Sequence, residues 1–238
     1  WYMGGEADGI DAVRSRVRGM VKQGADFIKI AASGGSTSTS DPYRAAYSAE
    51  ELNAIVDEAH NRNRPVLAHC RCTDAINLAL DAGVDSILHC AFYDNDGSYR
   101  FDQPTADRLA ASEAWLNPTM GLGNANRERL IRIRGERDLT PDEEDRLERS
   151  TVSGANSLAQ FSALVTAGVK LVGGSDCGWS YYPFGDFQSE IMSLHNAGLS
   201  RIDAIHAGTR SPAAALGIAN TIGTVEAGKE ADLLVVNG

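Results

Sequence analysis

Positive charge is scarce in this 238-residue chain, where Lys and Arg total 22 against 32 Asp and Glu, for a formal net charge of -10. A surface of that sign repels phosphate backbones, which argues against nucleic acid as a partner. Long apolar runs are missing as well. No stretch approaches the roughly 20 residues needed to cross a bilayer, so no membrane association is expected. The chain opens at Trp1 without the basic-then-apolar pattern of a signal peptide. Cysteine is sparse, with Cys70, Cys72, Cys90 and Cys177 in apolar contexts. That usage suits reduced thiols in a cytoplasmic protein better than a disulfide framework. What is present in quantity is apolar residues, 43% of the chain, enough for a sizeable core.

Hydrophobic spacing sets out an alternating order. Ile10, Val13, Val17, Met20 and Val21 recur at helical intervals, and Gly24 separates them from the strand Phe27-Ile28-Lys29-Ile30. Ser48 with Glu51 three residues on is a capping box, opening a helix that carries Leu52, Ile55, Val56 and Ala59 on one face. Pro65 to His69 reads as the next strand. Thr73 is expected to cap a helix that Gly83 ends before the strand Ser86-Ile87-Leu88-His89. A helix over Thr105 to Ala114 precedes Trp115 to Pro118, and a long helical region precedes Val169 to Val172. Both charge signs intersperse from Arg127 to Arg149, which reads as a solvated helical insertion. From Gly223 the pattern changes, and residues 223–238 read as a β-hairpin beginning a second domain after a catalytic domain over 1–222.

Five short strands separated by helical crossovers imply a parallel sheet, either a (β/α) barrel or a doubly wound open sheet. Lys29, His69, His89 and Asp176 each fall at the C-terminal end of a strand, the rim where barrels place their chemistry. Gly34-Gly35-Ser36 leads into a Ser/Thr-rich loop rather than a helix, so no dinucleotide fingerprint supports the open sheet. A closed barrel needs eight strands, and five leave open edges. Either three strands precede this piece, or another chain supplies them, or the piece pairs edges with its own copy.

Two histidines, a lysine and an aspartate at one rim make a nitrogen and oxygen set suited to a divalent metal. A lysine between Ile28 and Ile30 is expected to be desolvated, which favours a neutral amine able to add carbon dioxide as a carbamate. The bland alternative is a snorkelling or salt-bridged lysine. Cys70, Cys90 and Cys177 each follow a rim residue, and alternation turns them away from it, toward packing. His60 reads as structural, inside the helix after Ser48; His195 and His206 read as solvated or structural.

The runs Gly24-Ala25-Asp26-Phe27-Ile28-Lys29-Ile30 with Ser33-Gly34-Gly35, Ala68-His69, Ile87-Leu88-His89, Gly174-Ser175-Asp176 and Ala207-Gly208-Thr209 resemble the amidohydrolase superfamily. The prolidase-like and imidazolonepropionase-like members are the nearest in pattern. The ending Gly223-Thr224-Val225-Glu226-Ala227-Gly228-Lys229-Glu230-Ala231-Asp232-Leu233 is similar to the point where such chains return to a small β-sandwich. The resemblance implies α/β architecture, an incomplete (β/α)8 TIM barrel of metal-dependent hydrolase type lacking its N-terminal strands. It further implies a binuclear site in which carbamylated Lys29 bridges two metals, His69 and His89 bind one and Asp176 binds the other. Asp176 doubles as general base and zinc is the default metal, two ions being held if the N-terminal ligands are supplied. Its His-x-His pair has no counterpart, since no His precedes His60. Arg71 stands where relatives place tyrosine and is suited to hold a substrate carboxylate, with Ser33 and Gly34 beside the substrate. The expected reaction is hydrolysis of a C–N bond in a small molecule. A deaminase of the superfamily and a half-barrel active only on assembly are the alternatives.

Overall fold

The computed structural model describes residues 5–35, 39–179 and 181–236. Ser36 of the Gly34-Gly35-Ser36 run and the last two residues of the 223–238 segment lie outside the described residues. The chain divides into two units, Trp1–Asn117 with Ala167–Lys170, and Pro118–Thr166 with Leu171–Gly238.

In the first unit, helix and strand alternate as the apolar spacing predicts. α1 (Ile10–Lys22) buries Val13 and Val17 and packs on α2 (Ala49–His60), whose Ser48–Glu51 capping box is formed in full. Glu58 on that packed face is buried, and Arg14, Arg18 and Arg62 all reach its carboxylate, the Arg18 Nε at 2.7 Å. These guanidiniums hold the Glu58 carboxyl at about 2, below its ordinary range. β1 (Ile28–Ala31), β2 (Val66–Cys72), β3 (Ser86–Tyr93) and β4 (Trp115–Asn117) form one parallel sheet in the order β1-β2-β3-β4. The crossovers run through α2, α3 (Thr73–Ala82) and α4 (Gln103–Ala111). Strand order that follows chain order is the wall of a barrel; a doubly wound sheet reverses its order partway.

Several expectations are corrected. Thr73 does not cap α3: Cys72 takes the N-cap position without a side-chain bond, and Thr73 is the first helical residue. His60, exposed at the end of α2, keeps its structural reading, its Nε2 lying 2.8 Å from Asp85 Oδ2. Val169–Val172 form no fifth strand among the described residues. Their visible tie to the sheet is the Leu116 N–H donated to the Lys170 carbonyl at 2.8 Å. Residues 224–236 form no hairpin either. Val225, Leu233, Leu234, Val235 and Val236 stand exposed, with no neighbouring strand among the described residues to receive them.

The second unit is helical among the described residues: α5 (Met120–Glu136), α6 (Pro141–Ala167), α7 (Phe187–Asn196), α8 (Arg201–Ala207) and α9 (Arg210–Ala215). Its charged stretch is a solvated helical segment as the mixed signs predict, laced by Arg137–Glu143 at 2.8 Å and Arg149–Asp145 at 2.8 Å. Phe161, Leu164 and Leu194 supply buried apolar surface.

Candidate active site

β2 alternates cleanly, with Val66, Ala68, Cys70 and Cys72 buried and Leu67, His69 and Arg71 half-exposed on the other face. Pleating alone accounts for this. The cysteines at 70, 72 and 90 are fully buried, as packing groups should be, and burial pushes the Cys90 thiol well above its ordinary value. Cys177 is partly exposed.

β3 does not alternate. Its register sets His89 opposite Cys70, which would send the imidazole toward the buried cysteine face. Left-handed backbone at His89 (φ 68°) and Cys90 (φ 52°) breaks the alternation, and the His89 ring meets the His69 ring with centroids 4.3 Å apart at 63°. Left-handed non-glycine residues cost about 1–2 kcal/mol each. Such strain inside β3 marks a place where side-chain direction matters more than local stability.

The turn after β1 supports the pair. Gly34 N–H donates to the Asp41 carbonyl at 2.9 Å, and a Cβ at Gly34 would lie under 3.0 Å from the Asp41 backbone, so the turn needs glycine. The Gly34 carbonyl faces His69 Nε2 at 3.3 Å. A donor at Nε2 leaves the lone pair of that tautomer on Nδ1. Ser33 is fully buried, its Oγ accepting from the Arg71 N–H at 2.8 Å, so its hydroxyl joins the ends of β1 and β2.

Burial is the first cause that lowers both histidines, His69 to about 4 and His89 to about 2. The cations of Lys29 and Arg71 add to the effect, and for His89 the neighbouring His69 adds more than either. Both rings are therefore neutral near pH 7 with lone pairs available for a metal. Lys29 departs from expectation: its side chain is exposed rather than desolvated, because β1 is an edge strand and its Lys29 face lies open. The burial that would favour a neutral amine is absent there.

Asp176 belongs to the second unit, exposed, with left-handed backbone at φ 51°. Within the first unit, then, the structure gathers His69, His89, Arg71, Ser33 and Gly34, with Lys29 close enough to act electrostatically on both rings. Among the described residues no group of three His, Cys, Asp or Glu side chains lies close enough to hold a metal ion. The imidazole pair fits a divalent cation as two of the four ligands a zinc ion takes. His195 is structural, its Nδ1 at 2.8 Å from the Leu199 carbonyl.

Two further groups were not singled out from sequence. Tyr93 lies beside Arg71, whose guanidinium sits 5.5 Å from the ring centroid, and Tyr43 meets Tyr93 edge-on at 5.4 Å. Their only signal is position, Tyr43 in the segment after Lys29 and Tyr93 at the end of the strand that carries His89. In the second unit, Glu190 is fully buried on α7 and accepts from the Gly121 N–H at 2.6 Å, at the start of α5. Burial raises it to about 7, and its Oε1 has no hydrogen-bond partner.

Both strands run on past the positions where the sequence ended them, so His69 and His89 lie midway along β2 and β3. A parallel sheet in chain order with imidazoles paired on adjacent strands defines an α/β protein of the barrel-enzyme class. The chain belongs to the amidohydrolase family, whose model matches residues 2–238. It is 43% identical over 91 residues to an ochratoxinase of Aspergillus niger, an alignment covering 38% of this chain and 19% of that protein. A crystal structure of a Xaa-Pro dipeptidase with bound methionine superposes with a TM-score of 0.77 at 26% identity, covering 94% of this chain and 52% of the other. The crystal structure of an amidohydrolase gives 0.76 at 32% identity, covering 98% and 52%. The chain thus spans about half the length of the solved relatives it matches.

Proposed function

We propose that this chain carries the metal-binding half of a hydrolase that cleaves a C–N bond, amide or peptide-like, in a small carboxylate-bearing substrate. The observation that carries the reading is the neutral His69–His89 pair, turned onto one face by left-handed backbone in a chain of the amidohydrolase family. Relatives that are an ochratoxinase and a Xaa-Pro dipeptidase support the bond type.

His69 and His89 would ligate one divalent cation, zinc by default, and, where the N-terminal ligands are supplied, carbamylated Lys29 would join it to a second cation bound by Asp176. A cation held there supplies a Lewis acid for the scissile carbonyl and lowers the pKa of water. Asp176 accepts the proton of the attacking water and passes it to the leaving nitrogen. Arg71 holds the substrate carboxylate, with Ser33 fixing the Arg71 backbone and Gly34 orienting His69. Because Lys29 is exposed, a carbamate there depends on capture by the cation rather than on burial. Residues 1–222 would form the catalytic part and 223–238 the start of a β-sandwich segment. Buried, reduced thiols fit a cytoplasmic setting; no described helix is long and apolar enough to cross a membrane.

The test is metal content by plasma mass spectrometry on protein purified without chelator, with intact mass for the carbamate. Near-stoichiometric metal that falls on Lys29→Ala with the fold retained is the expected result, followed by turnover of N-acyl amino acids or dipeptides. Unchanged metal content in the variant overturns the ligand assignment. A deaminase is disfavoured by the absence of glutamate in His69-Cys70-Arg71-Cys72. A second reading rests on β1, which pairs with β2 alone among the named strands. A half-barrel that completes its sheet with a copy of itself or another chain would elute above its monomer mass in size exclusion with light scattering.

A further inference from the structure

β2 advances two residues between Cys70 and Cys72 while β3 advances four between His89 and Tyr93, so the sheet carries a bulge between these pairings. Three of the β3 residues there, His89, Cys90 and Phe92, adopt left-handed backbone. Bulges re-aim side chains and are frequent beside active sites. The first product of this one is the turned His89. The second is Tyr93, which the bulge delivers opposite Cys72, where its ring lies beside Arg71.

The surroundings of that ring are built on more than one element. Arg71 Cζ lies 5.5 Å from the Tyr93 centroid, within cation–π range. Tyr43, from the turn after β1, presents its ring to Tyr93 at 83° and 5.4 Å, the edge-to-face geometry aromatic pairs prefer. Tyr43 is seated in turn by its own N–H donated to Asp41 Oδ1 at 2.9 Å and by Gly97, where a Cβ would already touch the ring at 3.4 Å. On the backbone side, the Arg71 N–H is held by the buried Ser33 hydroxyl at 2.8 Å. A long, rotamer-rich side chain is thus guided at both ends, which lowers the entropy lost when its guanidinium takes up a ligand.

We propose that Tyr93, backed by Tyr43, is a positioning residue that aligns the Arg71 guanidinium for a substrate carboxylate and thereby sets the preference for carboxylate over neutral substrates. The inference rests on the reading that Arg71 is the carboxylate-binding group. Tyr93 acts through its ring face, so phenylalanine should replace it and leucine should not.

The experiment measures dissociation constants by calorimetry on the full chain for N-acetyl-L-leucine and for its carboxamide, in wild type and in the Arg71→Gln, Tyr93→Leu and Tyr93→Phe variants. Thermal melting checks that each variant is folded. Wild type should prefer the acid, and Arg71→Gln should abolish the preference. Tyr93→Leu should reduce it about three- to tenfold through the acid alone, the range a partly desolvated cation–π contact supports. Tyr93→Phe should retain it. If Arg71→Gln loses the preference and Tyr93→Leu keeps it, the positioning role falls while the Arg71 reading stands. An acid and amide weakened equally by Tyr93→Leu mark a structural residue and also overturn the role. No preference in wild type, or one that survives Arg71→Gln, overturns the Arg71 reading and this inference with it.

Discussion

The unit of Trp1–Asn117 with Ala167–Lys170 and the unit of Pro118–Thr166 with Leu171–Gly238 each bury titratable groups, with opposite consequences. In the first, burial keeps His69 and His89 unprotonated, at about 4 and about 2. In the second, burial raises Glu190 to about 7, so its carboxyl holds its proton through the mildly acidic range. Desolvation opposes charge in both cases, but the neutral form of histidine is the base and that of glutamate is the acid. The first unit has left-handed non-glycine backbone within β3, around His89, and at Asn63, and the second has it at Thr119 (φ 51°), beside the backbone that Glu190 binds, and at Asp176 and Tyr181. Burial thus shifts both kinds of group toward the neutral form, and only the imidazoles meet face to edge on adjacent strands of one sheet.

The comparison can be broken most forcefully through the cores. Leu52→Ala in the first unit and Leu164→Ala in the second, both sites fully buried, should each cost about 2–5 kcal/mol by chemical denaturation. Amide hydrogen exchange should report the larger loss of protection in the unit that carries the substitution. Next comes the turn that supports His69. Gly34→Ala, forced against the Asp41 backbone, should cost about 1–3 kcal/mol in thermal melts. Gly35→Ala, whose Cβ would sit 3.5 Å from the His69 ring in ordinary contact, should cost less than about 1 kcal/mol.

The pH dependence sharpens the comparison directly. For the histidines the folded value lies below the unfolded one, so their contribution is present above about pH 6.5 and is lost as pH falls toward 4. For Glu190 the folded value lies above the unfolded one, so its contribution is present below about pH 4.5 and is lost as pH rises through 7. Between pH 4.5 and 6.5, exchange protection corrected for intrinsic rates should therefore rise with pH in α2 and α3 and fall in α5 and α7. Glu58 and Glu143, both held at about 2, act below that window. Glu190→Gln should flatten the slope in α5 and α7 alone; an unchanged slope there would assign it to another group. A small effect is also expected from Tyr182→Phe, which removes the hydroxyl donated to the Asp186 carbonyl at 2.6 Å and should cost about 1 kcal/mol.

By itself, the sequence determined the parts whose physics is local. Helical apolar spacing placed α1 and α2, the Ser48–Glu51 box placed a helix start, and Gly83 in the left-handed region placed a helix end. Period-two alternation correctly turned Cys70 away from His69, though it does not hold along β3 at Cys90, and the motifs from Lys29 to Asp232 pointed to the family. Tertiary structure alone decided whatever depends on what lies across the ladder or over a face. Register, bulge and left-handed backbone turned His89 toward His69 and brought Tyr93 to Arg71, none of which periodicity encodes. The exposure of Lys29 came from its place on an edge strand, a property of the sheet rather than of its Ile28 and Ile30 neighbours. For the same reason Val169–Val172 and residues 224–236, apolar enough for strands, form none among the described residues: a strand exists only where a neighbour takes up its backbone hydrogen bonds.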